Sequence, residues 1–240
     1  ASGKQVSKAS DDPGAFGMIR NLASDGARLQ QYARNADAAL KYSTTAGQGL
    51  TQVVDILHRI NELSVQSGDG TLTSRDALIA EVDTLLESMI SIANGSDAGR
   101  YTYGGLRTDT PPYEAVRDPV DGRIVSVNYV GSEETRTIQI GDLTEVSTNT
   151  PGSTSTSEGG VFQTATRDVF DTIIQLREAL AAGQDVTTSD IPGRLQSDLD
   201  HLLNVQSLNG ARAEQIKMNQ THLLDQQTAN WDQTEAYDKM

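Results

Sequence analysis

Alternating strides of three and four residues carry the chain from Ala15 to Ser64 along a column of apolar side chains. The slots are Ala15, Met18, Leu22, Asp25, Leu29, Tyr32, Ala36, Ala39, Ser43, Ala46, Leu50, Val53, Leu57, Ile60 and Ser64. Twelve of the fifteen are apolar, where a chain that is 36% hydrophobic would place about five by chance. No proline interrupts the stretch. The pattern therefore predicts one helix from Asp12 to Ser67 with a narrow seam, closer to a coiled coil than to a helix of a globular domain. Such a helix runs roughly 80 Å at 1.5 Å per residue. It cannot bury its seam alone, so the remaining helices are its expected partners, with Leu29, Leu50, Val53, Leu57 and Ile60 in the shared core.

The signals that bound this helix are local. Asp11 or Asp12 can cap it, Pro13 suits its first position, and Gly68-Asp69-Gly70 ends it. Gly47 and Gly49 lie inside it and mark either a weak point or the close approach of a neighbour. Thr73 or Ser74 opens a second helix over 75–93, whose apolar face is wide enough to sit between two others, and which folds back antiparallel to the first. From Ala98 the period changes to two. Asp121-Gly122 between Val116-Arg117 and Ile124 to Tyr129 predicts a hairpin, and Thr135 to Ile140 alternates again. One small antiparallel unit of three to five strands is expected there. Ser147 to Gly160 reads as a Ser/Thr/Gly-rich linker or a long loop returning to the rod. Gln163 to Ala182 is expected to be helical.

The last helix starts at Ser189-Asp190 with Pro192, and its seam steps through Leu195, Leu199, Leu202, Gln206, Asn209, Ala213, Ile216, Gln220 and Leu223. Leu199, Leu202, Ile216 and Leu223 are predicted core residues. Beyond Leu223 the slots are Gln227, Asn230, Thr234 and Tyr237. Polar slots lower stability and fix register, or they fit a helix end whose partners lie outside the chain. The expected fold class is α+β: an elongated antiparallel helical rod with a small antiparallel β domain inserted. The expected segments are rod 1–97, β domain 98–146, linker 147–162 and rod 163–240.

Composition narrows the functions. The net charge is −14, which repels a nucleic-acid backbone or an anionic membrane surface, so neither is an expected partner. There is no cysteine, so thiol and zinc–thiolate chemistry are excluded. No cleavable signal is visible, and the chain is expected to be a fragment whose two termini have been removed. The histidines His58, His201 and His222 lack metal-ligand spacing and read as helix-surface residues. Asp118 and Asp121 resemble part of a calcium loop, but Pro119 and a missing acidic closing residue favour a turn. A hydrolase would need paired carboxylates, for which Asp109, Glu114, Asp118 and Asp121 are available, though without an obvious base. No cofactor and no catalytic residue are expected. Charged and polar residues beside the seams, Arg20, Arg59, Glu62, Gln66, Asn209 and Arg212, are candidates for packing subunit against subunit, and Ala33, Leu40, Val54 and Val65 are apolar flanks that favour assembly.

Several short stretches carry a resemblance. Ser10-Asp11-Asp12-Pro13, Asn35-Ala36-Asp37, and Gly49-Leu50-Thr51 through Leu57-His58-Arg59-Ile60-Asn61-Glu62-Leu63 to Gly70 resemble the amino-terminal rod of the bacterial flagellin superfamily. Leu208-Asn209-Gly210-Ala211-Arg212 resembles its carboxy-terminal rod. Ala93-Asn94-Gly95-Ser96-Asp97, Gly99 to Gly105 and Thr110-Pro111-Pro112-Tyr113 are similar to the branch at the hook–filament junction rather than to filament flagellin. The resemblance implies a non-enzymatic, extracellular subunit of the flagellum, exported through the flagellar secretion channel. It implies a ring of copies of the full-length protein, contacts with a neighbouring junction protein and with flagellin, and an export chaperone on the carboxy-terminal part. A filament flagellin with a short variable domain is the alternative. The fragment itself is expected to be a monomer.

Overall fold

The computed structural model describes residues 12–68 and 75–238. Four helices dominate: α1 Pro13–Gln66, α2 Arg75–Ala93, α3 Val169–Ala181 and α4 Ile191–Asp238. Asp12 caps α1 through its Oδ1, which accepts from the amides of Gly14 at 2.8 Å and Ala15 at 3.0 Å. The alternative cap Asp11, the stop Asp69-Gly70 and the starts Thr73 and Ser74 lie outside the described residues.

Among the described residues, eight short strands form four separate two-stranded antiparallel ladders: β1 Ser96–Asp97 with β2 Arg100–Tyr101, β3 Tyr113–Arg117 with β4 Ile124–Tyr129, β5 Thr137–Gly141 with β6 Thr144–Ser147, and β7 Gln163–Thr164 with β8 Arg167–Asp168. The strands are antiparallel and inserted between the helices, as the sequence predicts, but they form separate ladders instead of one continuous sheet. A lone hairpin is marginally stable in water, and the β3–β4 ladder packs on α2 and α3 in place of a third strand. Ile124 and Val127 of β4 are buried, and β4 packs on α3. The register of β3 and β4 pairs Ala115 with Val127 and shifts at Val116/Arg117, next to a turn in which Gly122 has φ 75°.

The expected third helix is shorter than the sequence suggested. Gln163 to Asp168 forms the β7–β8 turn, and Asp168 then caps α3 by accepting from the amide of Asp171 at 3.0 Å. The Ser/Thr/Gly stretch is tied down rather than loose. Ser155 donates from both its amide and its hydroxyl to Glu133, at 2.9 and 2.7 Å, and Val161 and Phe162 at its end are fully buried.

The chain divides into two compact units. In the first, residues 12–41, 137–147 and 212–238, the core is small: Ala36, Ala39, Ile140, Val146, Ile216 and Leu223, with Leu29 partly buried against it. Within this unit the β5–β6 ladder lies on α1, where the Asn35 side-chain amide donates to the Gln139 carbonyl at 2.7 Å. In the second, the described residues of 42–136 and 148–211, the core is large. It holds Leu50, Val53, Leu57, Ile60 and Leu63 of α1, Leu78, Val82, Leu86 and Met89 of α2, Phe170, Ile173 and Leu176 of α3, and Leu195, Leu199 and Leu202 of α4. Here α1 is buried on a wider stripe than the narrow seam, with Val54 and Leu63 added to the slots, because more than one helix covers it.

Candidate functional site

The six polar residues singled out for subunit packing have different surroundings. Arg59 is bound within the chain: its Nε donates to Glu81 at 2.6 Å and its Nη1 to Glu62 at 3.0 Å. Those hydrogen bonds, Glu81 first, hold the guanidinium pKa above its usual value. All three side chains remain solvated, so the network is weak in energy and free to exchange partners. Arg20 and Gln66 are exposed, and Arg212 is half-buried. Nearby, Asp25 pairs with Arg28 at 3.1 Å and Glu214 with Lys217 at 2.7 Å. Asn209 is 7% exposed and faces α1. Its Oδ1 accepts from Ser43 Oγ at 2.9 Å and its Nδ2 donates to the Ser43 carbonyl at 2.8 Å, so its amide is spent inside the chain. The apolar flanks also turn inward. Val54 is buried, Ala33 and Leu40 lie partly buried on the smaller core, and Val65 alone of the four is exposed.

The glycines of α1 are sites of close approach. A Cβ on Gly49 would stand 2.6 Å from the Tyr103 hydroxyl, and one on Gly47 would stand 3.0 Å from Asn209 Nδ2. Tyr103 in turn donates to the Ala46 carbonyl at 2.9 Å. It belongs to an aromatic cluster with Tyr113, Tyr129, Phe162 and Phe170, whose ring centroids lie 5.1 to 5.5 Å apart. Burial pushes the hydroxyls of Tyr103 and Tyr113 well above the ordinary tyrosine value and that of Tyr129 up to about 12. This cluster fastens the residues between α2 and β4 to α1, and the Asn94 side chain closes it by exchanging two 2.9 Å hydrogen bonds with the Tyr113 backbone. Its groups are held neutral and packed, which is the condition of a structural core rather than of acid–base chemistry.

Three of the remaining candidates for chemistry, Asp118, Asp121 and His201, have structural work. Asp118 accepts from the amide of Val120 at 2.7 Å, and Asp121 from that of Arg123 at 3.0 Å, so both carboxylates shape the β3–β4 turn. His201 Nε2 lies 2.9 and 3.2 Å from the carbonyls of Gly160 and Val161, which requires its proton on that nitrogen. His58 and His222 are exposed on helices. Among the described residues no cluster of three His, Asp or Glu side chains stands ready for a metal ion, and no helix is long and apolar enough to cross a membrane.

The seam pattern does not show the exposed apolar residues of α4. In the first unit Met218, Leu224 and Trp231 are 67%, 62% and 65% exposed, and in the second Leu208 is 60% exposed. The signal was present: Leu224 and Trp231 are one heptad apart, off the slots that face α1.

Comparisons with known proteins agree with this architecture. Residues 1–99 match the family model of the bacterial flagellin N-terminal helical region. The flagellar hook-associated protein 3 of Salmonella typhimurium is 28% identical over 144 residues, which is 59% of this chain and 45% of that protein. Flagellin B of Helicobacter pylori is 38% identical over 96 residues, which is 39% of this chain and 19% of that protein. The matched part thus amounts to less than half the length of either curated relative. The crystal structure of the flagellar junction protein FlgL from Legionella pneumophila superposes with a TM-score of 0.67 over 91% of this chain and 100% of that one, at 17% identity. The first 99 residues are thus similar to the bacterial flagellin N-terminal helical region, and the fold of the chain is that of the flagellar hook-associated protein 3 and FlgL structures.

Proposed function

We propose that the chain is the folded body of a structural subunit of the bacterial flagellum that joins hook to filament, and that it works by packing and not by catalysis. The observation that carries this reading is the reach of the Salmonella match. It covers 144 residues, more than the 99 that match the flagellin N-terminal model, and that relative is a hook-associated protein. The physical arrangement suits the role. Long helices with internally satisfied seams present outward polar and apolar residues at fixed spacing, and Arg59, Glu62, Arg20 and Gln66 with Leu224 and Trp231 are surfaces for lateral contact. Exposed, exchangeable ion pairs of the Arg59–Glu81–Glu62 kind let neighbouring subunits shift slightly, as a junction between differently curved tubes requires. The full-length protein then forms a ring of its own copies outside the cell, next to another junction protein and to flagellin, after export aided by a chaperone on the carboxy-terminal part.

The test is a deletion in the source bacterium, complemented by the full-length gene. Hooks that form while flagellin is shed into the medium support the junction role. Intact filaments in the deletion strain overturn it. The second reading, a filament flagellin, is favoured by the family match over residues 1–99 and predicts normal hooks with no flagellin of this type in the medium.

A further inference from the structure

α4 presents an asparagine to α1 twice, once within each unit, and the two settings match. In one, Asn209 Nδ2 donates to the Ser43 carbonyl at 2.8 Å, and a Cβ on Gly47 would stand 3.0 Å from that nitrogen. In the other, Asn230 Nδ2 donates to the Leu22 carbonyl at 3.0 Å, and a Cβ on Gly26 would stand 3.1 Å from its Oδ1. In both, the accepting carbonyl lies one helical turn before the glycine, 43 before 47 and 22 before 26. The asparagines at 209 and 230 are three heptads apart, and so are the glycines at 26 and 47.

We propose that these two asparagine–glycine modules set the antiparallel register of α1 against α4. The apolar slots alone specify it weakly, because a seam of alanine and leucine at heptad spacing is nearly unchanged when one helix slides by seven residues. The modules do change. A slide one way sets Asn209 opposite Val54 and Asn230 opposite Ala33; the other way sets them opposite Leu40 and Ile19. Every such partner carries a Cβ where the native fit has none, and each amide is left against apolar surface without its carbonyl. Gln206 donating to Thr51 Oγ1 at 2.8 Å and Gln220 donating to Asp37 at 2.7 Å repeat the same alignment at the seam edge. The second module matters more, since the core of its unit contains few large side chains.

The test is a distance measurement on the chain as it stands. It has no native cysteine, so spin labels at A27C and A229C, both exposed positions, report the register alone. A one-heptad slide moves the labels by roughly 10 Å along the helix. The parent is expected to give one narrow distance distribution. N209L/N230L is expected to keep its helical content by circular dichroism and to add a second, displaced population. N209A/N230A, which removes the amides without adding bulk, is read in the same way. A single unchanged distribution in both variants would overturn the proposal. So would loss of helical content in both, because the amides would then serve folding rather than alignment.

Discussion

At the scale of single residues, side-chain size at two or three positions decides what the neighbours can do. Gly49 is the clearest case, since the Tyr103 hydroxyl occupies the place of its Cβ. Gly49→Ala is expected to destabilise the fold by about 1–3 kcal/mol although alanine is the better helix former, because a buried aromatic must shift. Urea titration checks it, and an unchanged or raised midpoint would show that the contact is slack. The buried tyrosines make a second prediction. Their hydroxyls titrate above the ordinary tyrosine value in the folded chain and near 10 in the unfolded chain. The neutral form is favoured by folding, so this stabilisation is complete below pH 10 and is lost as pH rises through 12. The urea midpoint is expected to fall between pH 9 and pH 11.5. A midpoint that held over this interval would mean that the cluster opens to water at little cost. Much of this scale was hidden from the sequence. The stride placed Asn209 in a slot, but its pairing with Ser43 and Gly47 depends on residues more than 160 positions away. The glycines could be recognised as exceptions within a helix, whereas the identity of their neighbours could not.

At the scale of elements, helices were legible and ladders were not. The 3.6-residue period of α1, α2 and α4 is repeated many times, so an isolated polar slot such as Ser43 or Asp25 does not disturb it. A five-residue strand repeats its period twice, and nothing local tells a hairpin whether its next neighbour is a strand or a helix. Side chains from neighbouring elements do the work of missing strands: Gln163 of β7 donates to the Val127 carbonyl at 3.0 Å, Asn35 of α1 to that of Gln139, and Arg177 of α3 to that of Ile124 at 2.7 Å. This protects open edges from pairing with other chains. Arg177 is the most demanding of these, being buried while it also pairs with Asp83 at 3.1 Å. Arg177→Ala leaves a buried carbonyl without its donor and is expected to cost about 1–3 kcal/mol. Asp83→Asn, at the more solvated end of the pair, is expected to cost less. The reverse order in thermal unfolding would show that the ion pair, and not the carbonyl, needs the arginine.

At the scale of the whole molecule, the two units differ in how much they bury. Amides of α1 from 13 to 41 are expected to exchange with solvent faster than those from 42 to 66, although one unbroken helix contains both, because local opening is cheaper where fewer large side chains are buried. Uniform protection along α1 would contradict this. Two polar slots of α4 are partnered within the chain, Asn230 with the Leu22 carbonyl and Gln220 with Asp37, so these two do not demand a second molecule. Sedimentation in dilute solution is therefore expected to show a monomer, and a stable oligomer would move the partner surface to the outward residues of α4. None of this balance between units could be read from the seam pattern, since alanine and leucine count alike as apolar slots while burying very different areas.

The placement of aromatic residues supplies an optical consequence. The single tryptophan, Trp231, sits two-thirds exposed in the unit with the smaller core, while the tyrosine–phenylalanine cluster lies in the other. Indole emission and the near-ultraviolet dichroism of the buried tyrosine cluster therefore report on separate parts of one polypeptide, and no dye is needed to tell which of them melts first.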